Sequence, residues 1–119
     1  MKHTALVLVA LTVLSAVAFG QNLQKGDFVA SVGSEGWTLS SGTGERVHIE
    51  FITFDKVYEA PPTVLVSLAG YDATAGSDGT VKLHLTVDKI TKAGCIIKVK
   101  TWGDSKVGAV WCSWLAMSK

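Results

Sequence analysis

The sequence predicts an all-β fold, a six-stranded antiparallel β-sandwich, from three observations. Apolar residues nowhere keep the spacing of about 3.6 residues that marks an amphipathic helix. Short segments rich in β-branched and aromatic residues recur at nearly regular intervals, with glycine-rich turns between them. The pair Pro61–Pro62 excludes a helix before the third segment, because proline lacks an N–H and disfavours the helical backbone at the preceding residue.

Each strand is predicted by its own pattern. Residues 46–54 are rich in β-formers and place Val47, Ile49 and Phe51 on one face. Residues 81–90 alternate most regularly, with aliphatic side chains on one face and polar side chains on the other. The glycine- and serine-rich stretch between the first two strands is predicted as a loop. The six predicted strands cover residues 27–32, 46–54, 63–72, 81–90, 94–102 and 107–117.

The first twenty residues are typical of a secretory signal. They combine a lysine near the start, an apolar stretch over 5–13, and small residues at Ala18 and Gly20. The alternative is a membrane anchor, but the apolar stretch is short for a bilayer span of roughly 20 residues. We therefore predict a signal peptide over 1–20, a single mature domain over 21–119, and a secreted, extracellular protein without membrane insertion.

Charge and motifs exclude several function classes. The chain has 11 Lys and Arg against 10 Asp and Glu, with no basic stripe, so nucleic acid is not an expected partner. No nucleophile-elbow motif, catalytic carboxylate pair or phosphate-cradling loop is present. His84 lies on a polar strand face, and His48 with Glu50 is weak as metal spacing. We expect no catalytic residue, no metal and no cofactor.

The last predicted strand is apolar on both faces, which indicates burial on both sides. One face holds Val110, Cys112 and Trp114, and the other holds Val107, Ala109, Trp111, Ser113 and Leu115. In a two-layer domain only one of these faces can cover the core. The other, with Trp111 and Leu115, is predicted to meet another subunit, because a large exposed apolar strip marks an interaction surface.

The two cysteines, Cys95 and Cys112, are predicted to form one disulfide in an oxidising compartment. A tight turn centred on Gly103 and Asp104 would make them direct cross-strand partners. They could equally face each other across the two sheets. The remaining alternative is a pair of buried free thiols that act as small hydrophobic residues.

A binding site is predicted around Trp102, which stands directly before the turn "GDSK". A sugar site needs a flat ring for the C–H face of a pyranose and a few fixed donors and acceptors. Trp102 supplies the ring, Asp104 an acceptor and Lys82 a donor. Gly103 and Gly108 leave room for a ligand to approach the backbone. The alternative is that Trp102 simply covers the end of the core.

Three motifs together resemble the H-type lectin domain, the family of snail agglutinins and discoidins. They are "ITF…Y-x-x-PP-x-V-x-x-S-L" over 52–68, the strand "VKLHLTV", and "TWGDSKV…SWLA" over 101–116. The resemblance extends over essentially the whole mature chain. It implies a six-stranded sandwich, a homotrimer that can stack into a hexamer, and metal-free binding of galactose or N-acetylgalactosamine at the edge between subunits.

The resemblance also implies site residues, with departures from the family pattern. Trp102 falls on the family's sugar-site tryptophan, Gly103 on a neighbouring contact, and Lys82 on an arginine that binds sugar hydroxyls. Gly108 replaces a tyrosine, so a ring contact is missing. The remaining contacts fall in the loop before the second strand, and the predicted sugar-binding residues of this loop are Ser41, Gly42 and Thr43. The loop is shorter than in the family and lacks the family's aspartate, for which Glu45 is the candidate substitute.

Three tryptophans thus receive different predicted roles: Trp114 in the core, Trp111 at the subunit interface, and Trp102 on the ligand. The predicted function is a secreted multivalent lectin for galactose- or N-acetylgalactosamine-containing glycans, which agglutinates cells or recognises microbial or symbiont surfaces. The alternative is an oligomeric adhesion or structural module of the same fold that binds no sugar.

Overall fold

The computed structural model of the protein describes residues 22–119. The predicted signal peptide and its cleavage site lie outside these described residues. Within the described residues six strands follow one another, as predicted: β1 (Leu23–Ser31), β2 (Arg46–Thr53), β3 (Thr63–Thr74), β4 (His84–Asp88), β5 (Gly94–Thr101) and β6 (Lys106–Met117). Within 22–119 there is no helix, and so none that is long and apolar enough to cross a membrane.

The strands form two three-stranded sheets, in the orders β1-β6-β3 and β2-β5-β4. Every pairing is antiparallel, so the predicted all-β antiparallel sandwich is confirmed. The consecutive strands β5 and β6 lie in different sheets. The turn over 102–105 therefore carries the chain from one sheet to the other instead of closing a hairpin.

This topology overturns the predicted cross-strand disulfide. Cys95 is paired with Ile52 in one sheet, whereas Cys112 lies between Phe28 and Leu68 in the other. Both cysteines are buried free thiols, in different clusters of the core. Burial raises the pKa of both thiols, and the nearby charge of Glu50 adds to the effect at Cys112, whose pKa is raised to about 11.

The core between the sheets consists of two clusters. One surrounds fully buried Val99, Val107 and Val110. The other surrounds Phe54 and Tyr58, with Trp114 packed against it, and the rings of Phe54 and Trp114 have centroids 5.8 Å apart. Trp114 thus has the core role that the sequence predicted.

The outer face of β6 departs from the prediction at Val107, which is fully buried. Asp72 is paired with Ala109 but the next residue, Ala73, is paired with Val107, so Gly108 is an extra residue in β6. Such a β-bulge reverses the alternation of side chains beyond it. Val107 therefore points into the core, whereas Trp111 remains 43% exposed on the outer face.

Strand β2 also has an apolar outer face. Val47, Ile49 and Phe51 are exposed, and Phe51 keeps 78% of its surface. The inward side chain of His48 is almost fully buried, with its Nε2 3.0 Å from Glu50 Oε1 and its ring 5.1 Å from the ring of Trp37. The two sheets thus expose apolar residues on opposite outer surfaces.

Candidate functional site

The predicted site residues Lys82, Trp102 and Gly103 come together at one end of the sandwich. The Thr101 hydroxyl donates to the Lys82 carbonyl at 2.6 Å, and the Lys82 N–H donates to the Ser105 hydroxyl at 3.3 Å. Gly103 has φ +68°, and a Cβ there would lie 3.6 Å from Lys82 Cδ. The Lys82 side chain therefore runs along the turn that carries Trp102.

Asp78 holds the end of the Lys82 side chain. The Lys82 ammonium donates to Asp78 Oδ2 at 2.6 Å and also to the Thr80 hydroxyl. The bond from Lys82 is the largest cause that holds the pKa of Asp78 well below its usual range. Two further bonds, from the hydroxyl and the backbone N–H of Thr80, act in the same direction. Asp78 was missed by the sequence analysis, because a spacing of four residues predicts a side-chain pair in a helix, whereas residues 78–82 form a turn and an irregular segment.

Asp104 joins two turns instead of facing outward with free oxygens. Both of its carboxylate oxygens lie 3.0 Å from the Ser77 backbone nitrogen. Hydrogen bonds from Ser77, first from its side chain and then from its backbone, lower the pKa of Asp104. A Cβ on Gly76 would lie 2.1 Å from Asp104 Oδ1, so this contact requires glycine. Asp104 therefore fastens the turn around Ser77 to the turn that follows Trp102.

The loop that contains Ser41, Gly42 and Thr43 lies beside the same turn. The Gly44 N–H donates to the Gly103 carbonyl at 2.8 Å, and the Lys106 ammonium donates to the Gly42 carbonyl. The structure thus brings this loop next to Gly103.

The Trp102 ring is partly free and has a cation near it. It is 39% exposed and belongs to neither core cluster of residues 22–119. The Lys100 ammonium lies 5.8 Å from the ring centroid and 3.6 Å from Glu45 Oε1. Exposure of this size favours a contact role for the ring over a role as a cover for the core.

Gly108 has different neighbours from the other predicted site residues. Its carbonyl accepts a hydrogen bond from the Val32 N–H at 3.1 Å, and a Cβ there would lie 3.6 Å from the Asp72 carbonyl oxygen. It is the bulge residue of β6, and its backbone contacts are with the ends of β1 and β3.

The site therefore consists of an exposed ring, a lysine–aspartate pair and a loop of exposed backbone; we call Lys82, Asp78, Trp102, Gly103 and residues 41–44 the Trp102 shelf. A ring offers an apolar face to C–H groups, and charged side chains form strong hydrogen bonds with hydroxyls. Within 22–119, no group of three His, Cys, Asp or Glu residues could hold a metal ion.

The model of the H-type lectin domain matches residues 49–117, which is more than half of the chain. The chain belongs to the H-type lectin domain family. This confirms the resemblance that the sequence motifs indicated, and it makes the protein a member of a family of carbohydrate-binding proteins. The matched range contains Lys82, Trp102 and Asp104, and it begins after the loop over 41–44.

The chain is also similar to individual proteins. A protein of Fuscovulum blasticum described as "ATP synthase subunits region ORF 7" is 31% identical over 84 residues, which cover 71% of each chain. Two structures of discoidin II from Dictyostelium discoideum, the native recombinant protein and the wild type, each match with a TM-score of 0.69 and 23% identity. They match 82% of this chain, which spans only 38% and 37% of the discoidin chains. The likeness to discoidin II shows a shared fold.

Proposed function

We propose that the protein is a secreted multivalent lectin that binds galactose- and N-acetylgalactosamine-type glycans without a metal ion. The observation that carries the proposal is the Trp102 shelf, where an exposed ring, a cation and a carboxylate adjoin a loop of exposed backbone. Membership of a carbohydrate-binding family supports a sugar as its ligand.

Each part of the shelf has a role in this proposal. The Trp102 ring packs against the C–H face of the pyranose, and the Lys82 ammonium donates to a ring hydroxyl. Asp78 accepts from a neighbouring hydroxyl and stands in for the aspartate missing from the shortened loop. Its carboxylate is charged at neutral pH, as that of an ordinary aspartate is, and a charged oxygen is a strong acceptor.

The two apolar outer faces support an assembly of several subunits. One face carries Trp111 and Leu115 on β6 with Val29 of β1, and the other carries Ile49 and Phe51 on β2. Because the faces differ and belong to opposite sheets, a contact between them is heterologous, and such contacts form a closed ring when the rotation between neighbouring subunits allows it. We propose a homotrimer, two of which stack into a hexamer, with Trp111 and Leu115 in the subunit interface.

Several sites on one rigid assembly explain how a weak site becomes useful. A monosaccharide buries little surface, so each shelf alone binds weakly. Simultaneous binding of several shelves to a dense glycan surface raises the avidity by about 10²–10⁴. Agglutination of cells and recognition of microbial or symbiont surfaces follow from such avidity.

A reciprocal pair of variants tests the proposal. Trp102→Ala should abolish retention of the protein on immobilised sugar. The mass of this variant by light scattering should remain that of the oligomer. Trp111→Asp should reduce the mass to that of the monomer, because a carboxylate would have to be buried in the interface. A Trp102→Ala protein that is retained like the wild type would show that the ring is not the sugar platform.

A second candidate function is an oligomeric adhesion or structural module of the same fold without sugar binding. It is favoured by the internal bonds of Asp104 to Ser77 and of Lys82 to Asp78, which occupy polar groups that a sugar would need. For this module, neither the wild type nor Trp102→Ala would be retained on immobilised sugar. The substitution would change only the stability of the protein.

A further inference from the structure

Arg46, the first residue of β2, binds the backbone of both loops that form the Trp102 shelf. Its Nε donates to the Gly44 carbonyl at 2.9 Å, and its Nη1 donates to the Ser41 carbonyl at 2.8 Å. Its Nη2 donates to the carbonyls of Gly103 at 3.0 Å and Ser105 at 2.9 Å. One side chain therefore connects the loop over 41–44 to the turn after Trp102.

The chemistry of these bonds is specific to arginine. Arg46 is the only arginine of the sequence. Among residues 22–119, no carboxylate lies within ion-pair distance of it, so its charge faces four carbonyl dipoles. A guanidinium has donors in a fixed plane and can serve several acceptors at once, whereas a lysine ammonium acts as a compact point charge.

The loops connected by Arg46 are flexible by composition. Three of their residues have φ between +68° and +80°, namely Gly42, Gly44 and Gly103. Glycine adopts such φ values easily, but in a free loop it can also adopt many other backbone conformations. Ordering such loops at the moment of binding would weaken affinity. A residue that orders them beforehand removes this cost.

We propose that Arg46 is the positioning residue of the sugar site: it holds the loop over 41–44 and the turn after Trp102 in their binding arrangement before the ligand arrives. This inference rests on the proposed function. Arg46 acts through the carbonyls of Ser41, Gly44 and Gly103, and the sugar contacts remain those of the Trp102 shelf.

The test compares wild type, Arg46→Lys and the control Lys98→Ala, which removes a cation from the same sheet but leaves the loops intact. Calorimetry with N-acetylgalactosamine should show Arg46→Lys binding about tenfold more weakly, because the loops must then be ordered on binding. Lys98→Ala should bind like wild type. Methylguanidinium should restore binding to Arg46→Ala, since it returns the planar donors.

Amide exchange followed by NMR gives a readout that does not depend on sugar affinity. In sugar-free wild type the Gly44 N–H, bonded to the Gly103 carbonyl, should be protected. In Arg46→Lys its exchange should accelerate, whereas amides in the centre of β5 should keep their protection. A protein that shows this pattern but binds no sugar would refute the proposed function and leave the loop-ordering role of Arg46 standing.

Three results would overturn the inference. The first is a Gly44 amide in sugar-free wild type that exchanges at the rate of an open loop, a result that needs no variant. The second is an Arg46→Lys protein that binds sugar as tightly as wild type. The third is an Arg46→Lys protein whose binding is weakened while its loop protection is unchanged.

Discussion

Replacing Gly26 with alanine should destabilise the protein through a clash with Trp114. The two residues are paired across β1 and β6, and the indole lies over the glycine. A Cβ on Gly26 would lie 2.7 Å from three indole atoms, Cε2, Cζ2 and Nε1. Unstrained carbon contacts have separations of about 3.5–4.0 Å, so a displacement of about 1 Å is required.

The indole cannot move away cheaply, because it packs against the cluster of Phe54 and Tyr58. Forcing extra volume into such packing costs roughly 1–3 kcal/mol. For a domain of this size each kcal/mol lowers Tm by about 4–8 °C. Gly33 is the matched control, since a Cβ there meets nothing nearer than Ser31 Oγ at 4.0 Å.

The assay is unfolding by heat and by urea, followed by circular dichroism at one protein concentration, because assembly contributes to apparent stability. Gly26→Ala should unfold at a clearly lower temperature than wild type. Gly33→Ala should be unchanged or slightly more stable, because alanine lowers the entropy of the unfolded chain. Equal Tm values for Gly26→Ala and Gly33→Ala would refute the packing of Trp114 described above.

Three further predictions concern the turns and the thiols. Gly103→Ala should bind sugar more weakly and cost about 1–2 kcal/mol of stability by urea unfolding, because a side chain strains a backbone at φ +68°; unchanged binding and stability would contradict this geometry. Because the pKa of Asp104 is lowered in the folded protein, its carboxylate contributes stability above the unfolded pKa near 3.8, and this contribution is lost as the pH falls through the lower folded pKa. The urea midpoint of Asp104→Asn should therefore depend less on pH over this acidic range than that of wild type. An equal pH dependence of the two proteins would contradict the role of Ser77. Cys95 and Cys112 should be unreactive toward a thiol reagent in the folded protein and both titrate after denaturation without reductant; no titrated thiol would mean that they are bridged.

The strands were predictable because each carries its own local signal. Alternation of aliphatic and polar residues predicted a strand over 81–90, although only His84–Asp88 pairs with β5. Residues 81–83 are not paired with β5 as a strand. Instead, the backbone of Lys82 forms hydrogen bonds with the hydroxyls of Thr101 and Ser105. β1 begins at Leu23, earlier than predicted, because β6 offers it partners as far as Met117.

The errors arose where a feature depends on contacts between distant residues. Neighbouring strands with a glycine-containing turn favour a hairpin, but the chain changes sheet between β5 and β6, and this separates Cys95 from Cys112. The bulge at Gly108 turns Val107 inward, because the register of β6 is determined by β3. Neither the change of sheet nor the bulge is encoded in the local alternation of residues.

The sequence singled out Trp102 and Lys82 by their turns, and the structure places these turns side by side. The interactions that hold these residues in place were not predicted. Arg46 resembles any strand-opening basic residue, and its bonds to carbonyls across the fold leave no sequence pattern. Asp104 looked like a ligand acceptor because its partner, Ser77, is distant in the chain.

Sugar binding by the Trp102 shelf is best measured by retention of the purified protein on immobilised galactose and N-acetylgalactosamine, with and without a chelator. We expect retention on at least one matrix, elution by the free sugar, and no effect of the chelator. No retention of a folded, oligomeric protein on either matrix would contradict the proposed specificity and favour the adhesion module. Retention that disappears with chelator would contradict a metal-free site.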